Sequence, residues 1–177
     1  MDVLEVLQTA STPFFSHPIG TPASPEPTEV GSKLIASCCS YVLTVAASSL
    51  FVNTLHFFLT AKARKASGLA YPIPYASQEQ AEKDPKAYAF NCAQRAHANY
   101  TENLTPFLGA LLISGLRFPT ATAALGATWV FGRFWYALGY TSSGPQGRLK
   151  GFTLSILSDL SLKVMAVIAC VKLLPSA

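Results

Sequence analysis

Residues 34–61, LIASCCSYVLTVAASSLFVNTLHFFLTA, run without a single Asp, Glu, Lys or Arg. A helix that crosses a bilayer needs roughly 20 mostly apolar residues, and only a structure that pairs its own backbone N–H and C=O groups survives in hydrocarbon. This run is longer than that requirement. Half of the 177 residues are hydrophobic, only 12% are charged, and the mean hydropathy is +0.33. Such a chain is too apolar and too charge-poor for an ordinary soluble domain. Three more segments, at about 88–116, 120–142 and 148–174, follow the first at about 33–66, and Pro175 stops the last. The expected fold class is all-α: an integral membrane antiparallel four-helix bundle forming one domain over residues 33–177.

Residues 1–32 differ in character. Five prolines among Ser, Thr and Glu leave no periodicity, which predicts a proline-rich flexible arm. The acidic start MDVLEVLQ lacks the basic region of a secretory signal, and Phe14 and Phe15 read as exposed aromatics on a tail. Basic residues set the expected orientation. Lys62, Arg64, Lys65, Lys83 and Lys86 follow the first segment, and Arg148 and Lys150 follow the third, whereas the opposite side holds Lys33, Arg117 and Lys172. The loops after helices one and three are therefore expected on the cytoplasmic side, with both termini across the membrane. The net charge of +4 comes with no basic run interleaved with aromatics, so the sequence does not read as a nucleic-acid binder. Cys38, Cys39, Cys92 and Cys170 have no metal-ligand spacing, and no metal is expected. Two sequons, at Asn99 and Asn103, fall inside a predicted helix and read as chance.

Polar residues break the second segment in an ordered way. In RAHANYTEN, at about 100° per residue, Arg95, Asn99 and Glu102 share one narrow stripe while His97 points nearly the other way. Charges inside a spanning segment cost several kcal/mol unless they meet a partner or a wet cavity. In GRFWYALGY, Arg133, Tyr136 and Tyr140 share a face by the same arithmetic, and Arg148 follows. Together with Arg64 and Lys65 these residues converge toward one membrane face. Guanidinium groups match carboxylates, Glu102 suits an amino group, and Tyr and Asn suit amide or hydroxyl contacts. A small zwitterionic ligand bearing carboxylates fits that inventory, with a lipophilic second substrate beside it. The structural alternative is a stripe that packs helices together, with Glu102 paired to Arg95.

FNCAQRAHANYTENLTPFL resembles the second-helix signature of the membrane-associated proteins in eicosanoid and glutathione metabolism, the MAPEG family. KARKASGLAYPIPYAS and GRFWYALGYTSSGPQGR look most like its microsomal glutathione transferase type 3 branch. The resemblance covers about residues 33–174. It implies a homotrimer of four-helix subunits in the endoplasmic reticulum membrane, with glutathione bound between neighbouring subunits as co-substrate. By that resemblance Arg64, Arg95, His97, Asn99, Glu102, Tyr136 and Tyr140 match glutathione-holding positions, and Arg148 matches the arginine that activates the thiol. Lys65 stands where leukotriene C4 synthase has an arginine proposed as proton donor, and a lysine keeps the charge but not the planar fork. His97 replaces that synthase's glutamine and Asn103 its tyrosine. Asn103 and Arg133 are further candidates for the site.

The implied function is a glutathione transferase or lipid hydroperoxide peroxidase acting on lipophilic electrophiles, with leukotriene C4 synthase-type conjugation in range. Two other classes stay open: a lipid-presenting scaffold like the five-lipoxygenase activating protein, and a membrane adaptor whose polar stripes serve assembly. Elsewhere, Asn53 and His56 read as satisfied helix-packing polars, and Trp129 and Trp135 as interfacial anchors or packing residues. Asp159 and Lys163, spaced i and i+4 in an apolar helix, read as a mutually neutralising pair.

Overall fold

The computed structural model describes residues 27–173, with side chains from Ser40 to Lys172. Residues 1–26 of the expected arm, including Phe14 and Phe15, lie outside the described residues, as does Pro175. Among the described residues the regular structure is all helical, with no strand: α1 Pro27–Ser67, α2 Gln78–Lys83, α3 Pro85–Gly115, α4 Pro119–Gly147 and α5 Leu149–Leu173. The contacts below lie in the unit Lys33–Ala177.

Several ends differ from the sequence expectation. The first helix already starts at Pro27, inside the span read as arm, where a proline loses only an N–H that a first helical turn leaves unpaired. The short α2 was not expected. Its sequence SQEQ builds a capping box, in which the Ser77 hydroxyl accepts from the Gln80 N–H and the Gln80 side chain accepts from the Ser77 N–H. Asp84 caps α3 by accepting from the Lys86 N–H, and Pro85 opens that helix. α4 continues past the expected end near 142 to Gly147, across a kink at Gly144, whose φ of 68° favours glycine and which precedes Pro145.

Two helical stretches, Ser40–Ser67 and Leu149–Lys172, are long and apolar enough to cross a membrane. Their outer faces carry bare apolar side chains, among them Leu43, Phe51, Phe57, Leu157 and Val171, with Phe51 77% exposed. Lipid suits such faces and water does not. The core sits where α1, α3, α4 and α5 meet: Val42, Val45, Val52, Tyr100, Phe107, Leu111, Trp129 and Leu162 form one buried cluster. Trp129 stacks on Phe107 with ring centroids 3.7 Å apart, which makes it a packing residue, while Trp135 lies half-exposed on the outside. The Tyr100 hydroxyl donates to the Ser49 carbonyl, and the Thr60 hydroxyl donates to the Ala93 carbonyl at 3.3 Å, tying α1 to α3.

Small residues let α4 and α5 approach closely. A Cβ on Gly151 would lie 2.4 Å from the Tyr136 backbone N and 2.6 Å from the Gly132 carbonyl oxygen. Because the obstacles are backbone atoms, Gly151→Ala must push the two helices apart, which we expect to cost about 1–3 kcal/mol. Nothing lies within 4 Å of a Cβ added at Gly109, so Gly109→Ala should leave stability unchanged or raise it. Thermal unfolding midpoints in detergent check the contrast: equal midpoints for the two variants would contradict the close approach.

Candidate functional site

Helical periodicity puts Arg95, Asn99 and Glu102 on one face of α3, and their neighbours determine what each does. Arg95 Nη1 donates to Glu102 Oε1 at 3.2 Å, with both side chains about half exposed. This is the pairing named above as the structural alternative, and at that exposure it is worth little to stability. Asn99 meets α4. Both terminal nitrogens of Arg133 donate to Asn99 Oδ1 at 3.0 Å. Arg133 is only 3% exposed, and its guanidinium lies 4.7 Å from the Tyr136 ring centroid and 5.5 Å from that of Trp129. Burial against aromatic faces favours a planar guanidinium over an ammonium. The Asn103 side-chain amide donates to the Asn99 carbonyl at 2.7 Å.

One helical turn toward the start of α3, Cys92 and Ala96 pack with Tyr136 and Tyr140 of α4 in a second buried cluster. The two tyrosine rings meet edge-on at 5.6 Å. Arg148, at the joint between α4 and α5, places its guanidinium 5.1 Å from the Tyr140 ring centroid. Hydrogen bonding with the Tyr136 side chain raises its pKa above the ordinary arginine value, with burial opposing that rise and the charge interactions with Tyr136 and Tyr140 adding to it. Among the described residues no carboxylate pairs with Arg148. The row from Glu102 through Arg95, Asn99, Arg133, Tyr136 and Tyr140 to Arg148 is therefore brought together by two helices and one joint.

Other candidates lie elsewhere. Arg64 donates to the Ile73 carbonyl at 2.9 Å and sits over the rings of Tyr71 and Phe90, at 4.4 and 4.5 Å. Its partners belong to the loop after α1 and the start of α3, so within one chain it braces that loop and does not join the Arg95 row. Lys65 is exposed and lines an open groove with Arg64, Gly68, Leu69 and Tyr71. His97 points away from the row, as the helical arithmetic requires, and stacks on His56 of α1 at 5.9 Å. His56 is buried, and among the described residues neither its Nε2 nor Asn53 Oδ1 has a hydrogen-bond partner. The expectation that Asn53 and His56 are satisfied polars is thus corrected: helix packing sets His56 against the rings of His97 and Tyr100, and one polar atom of each residue stays unpaired among the described residues.

Asp159 is more than the half of an ion pair that its spacing to Lys163 predicts. Its Oδ2 does meet Lys163 Nζ, at 2.5 Å. The carboxylate is also 4% exposed and lines a cavity of about 90 Å³ with Asn99, Asn103, Trp129, Arg133 and Ser155. Sequence reasoning missed that company because α5 contributes to it from the far end of the chain. The signal present was an acidic residue that an apolar helix has no reason to carry. Among the described residues no group of three or more His, Cys, Asp or Glu side chains is placed to hold a metal ion.

Comparison with known proteins places this arrangement. An uncharacterized protein of Synechocystis sp. is 40% identical over 81 residues, a match covering 45% of this chain and 58% of that protein. The chain thus spans less than two thirds of that relative's length. The profile of the MAPEG family matches residues 42–168, which takes in every residue of the row. On that match over most of its length, the chain belongs to the MAPEG family of membrane proteins.

Proposed function

We propose that this chain is a membrane-bound glutathione-dependent enzyme that transfers glutathione to lipophilic electrophiles or uses it to reduce lipid hydroperoxides. It would act as a homotrimer of four-helix subunits in the endoplasmic reticulum membrane, nearest to the type 3 microsomal transferases. One observation carries the reading. Arg148 keeps a positive charge that no carboxylate among the described residues neutralises, and Tyr136 and Tyr140 hold it at the end of a row of polar groups. A fixed, uncommitted guanidinium is what a thiolate needs beside it.

In this reading Arg95 takes a glutathione carboxylate, Glu102 its amino group, and Asn99, Tyr136 and Tyr140 its amides. Binding then exchanges the weak Arg95–Glu102 contact for two contacts of the same kind with the ligand. In transfer, the sulfur forms a bond to the electrophilic carbon as the leaving group departs with its electron pair. In peroxide reduction, the sulfur takes one oxygen, the O–O bond breaks and the alkoxide is protonated. A second glutathione then displaces water to give the disulfide. Lys65 is the candidate proton donor for these leaving groups.

Size and direction support the assembly. The polar cavity within one chain is about 90 Å³, whereas ligand pockets run to about 300–1,000 Å³. Arg64 and His97 face away from the row, which suits them to a neighbouring subunit's site. An open apolar groove between α1 and α4, lined by Val45, Val52, Val130 and Phe134, would receive the lipophilic substrate. The loops after α1 and α4 lie on the cytoplasmic side in this reading.

The scaffold reading has one observation in its favour, the Arg95–Glu102 pair, in which two polar-row charges neutralise each other without a ligand. Glutathione titration calorimetry on purified protein, with the mass of the intact complex measured, separates the two. The expected result is a trimer that binds glutathione and turns over an aryl halide or a lipid hydroperoxide. A folded protein that binds no glutathione would make the scaffold the better account.

A further inference from the structure

Among the described residues, Arg133 Nε and Asp159 Oδ1 have no hydrogen-bond partner, and both residues are more than nine-tenths buried on the wall of one partly open cavity. The two charges do not form a direct ion pair, since Asp159 is bridged to Lys163 and Arg133 to Asn99. A buried polar atom left without a partner is costly, and the two such atoms belong to residues on the wall of the same cavity. About 90 Å³ of polar space, with Ser155, Asn99 and Asn103 also on its wall, is room for more than one water molecule.

We infer that ordered water in this cavity joins Asp159 to Arg133, and that Asp159 is thereby a positioning residue for glutathione. The chain of causes is short. A guanidinium has only donors, so the Asn99 atom facing Arg133 must be its oxygen. The Asn99 NH₂ is then turned away from Arg133, with no hydrogen-bond acceptor among the described residues, and is available to a carbonyl or carboxylate oxygen of the ligand. Asp159 anchors the other edge of Arg133 through water and keeps that geometry in place. Lys163, at the outer end, holds the second carboxylate oxygen. The inference rests on the glutathione reading of the α3 row.

A double-mutant cycle tests it, with glutathione affinity and steady-state kinetics measured on the intact assembly. Asp159→Asn is expected to weaken glutathione binding about tenfold, the loss of one well-placed polar contact, while kcat at saturating glutathione stays within about twofold. In an Asn99→Ala background the same substitution should cost nothing further, whereas in an Arg95→Ala background it should cost the full amount. Asp159→Leu, which fills the cavity with an apolar side chain, provides a second variant if Asn fails to fold and should show the same affinity loss. Additive losses with Asn99→Ala, or unchanged affinity in both Asp159 variants, would overturn the inference while leaving glutathione binding intact. If the unaltered protein binds no glutathione, the functional reading fails and this inference fails with it.

Discussion

Arg148→Ala is expected to abolish the ultraviolet absorbance of bound thiolate and to remove most turnover, with electrophile or hydroperoxide, while the assembly and much of the glutathione affinity remain. A free thiol has a pKa near 8.5, so only a few per cent is thiolate at neutral pH, and the thiolate is the nucleophile. Each unit by which a neighbouring cation lowers that pKa corresponds to about 1.4 kcal/mol. One or two units bring the thiol near or below neutrality, and losing them removes roughly tenfold or more of the reactive form. The structure makes Arg148 suited to this. It caps the kinked end of α4 against Tyr140, and a guanidinium stays charged throughout the working range of pH. Being always charged, it stabilises the anion and does not serve as a base. Its competing role is that of a cytoplasmic topology marker beside Lys150. A folded variant with normal thiolate absorbance and normal turnover would leave it only that role.

Arg95→Ala should weaken glutathione binding by about tenfold to over a hundredfold, the value of one charge-assisted hydrogen bond of about 1.5–3 kcal/mol. Folding should change little, because the bond that Arg95 makes to Glu102 is about half exposed and such pairs contribute about 0–1 kcal/mol. The separation between these two effects is what distinguishes a ligand contact from a structural strut. Calorimetry on the assembled variant gives the affinity, and a thermal midpoint gives the stability. An unchanged affinity with a lowered midpoint would return the stripe to helix packing.

How far the site was visible beforehand differs by residue. The grouping of Arg95, Asn99 and Glu102, and the opposite direction of His97, follow from 3.6 residues per turn and needed no neighbour. The same period put Arg133, Tyr136 and Tyr140 on one face of α4. What each group binds was not visible. Arg64 belonged to the expected convergence, yet within the chain it braces the loop at Ile73 and Tyr71. Asp159 looked like one half of a local i, i+4 pair and is also a wall of the Arg133 cavity. The capping box at Ser77 is written locally, in the residues SQEQ.

That this chain is helical, apolar on long faces and interrupted by two polar stripes was legible from its residues, because those properties depend on composition and on the period of a single helix. The tertiary structure alone decided that Arg133 clamps Asn99, that Asp159 looks into the same cavity and that Arg148 reaches Tyr140. Those facts depend on which turn of α4 lies against which turn of α3 and α5. That register comes from the contact of backbone with backbone at Gly132 and Gly151 and from the stacking of Trp129 on Phe107, between residues that no local period relates.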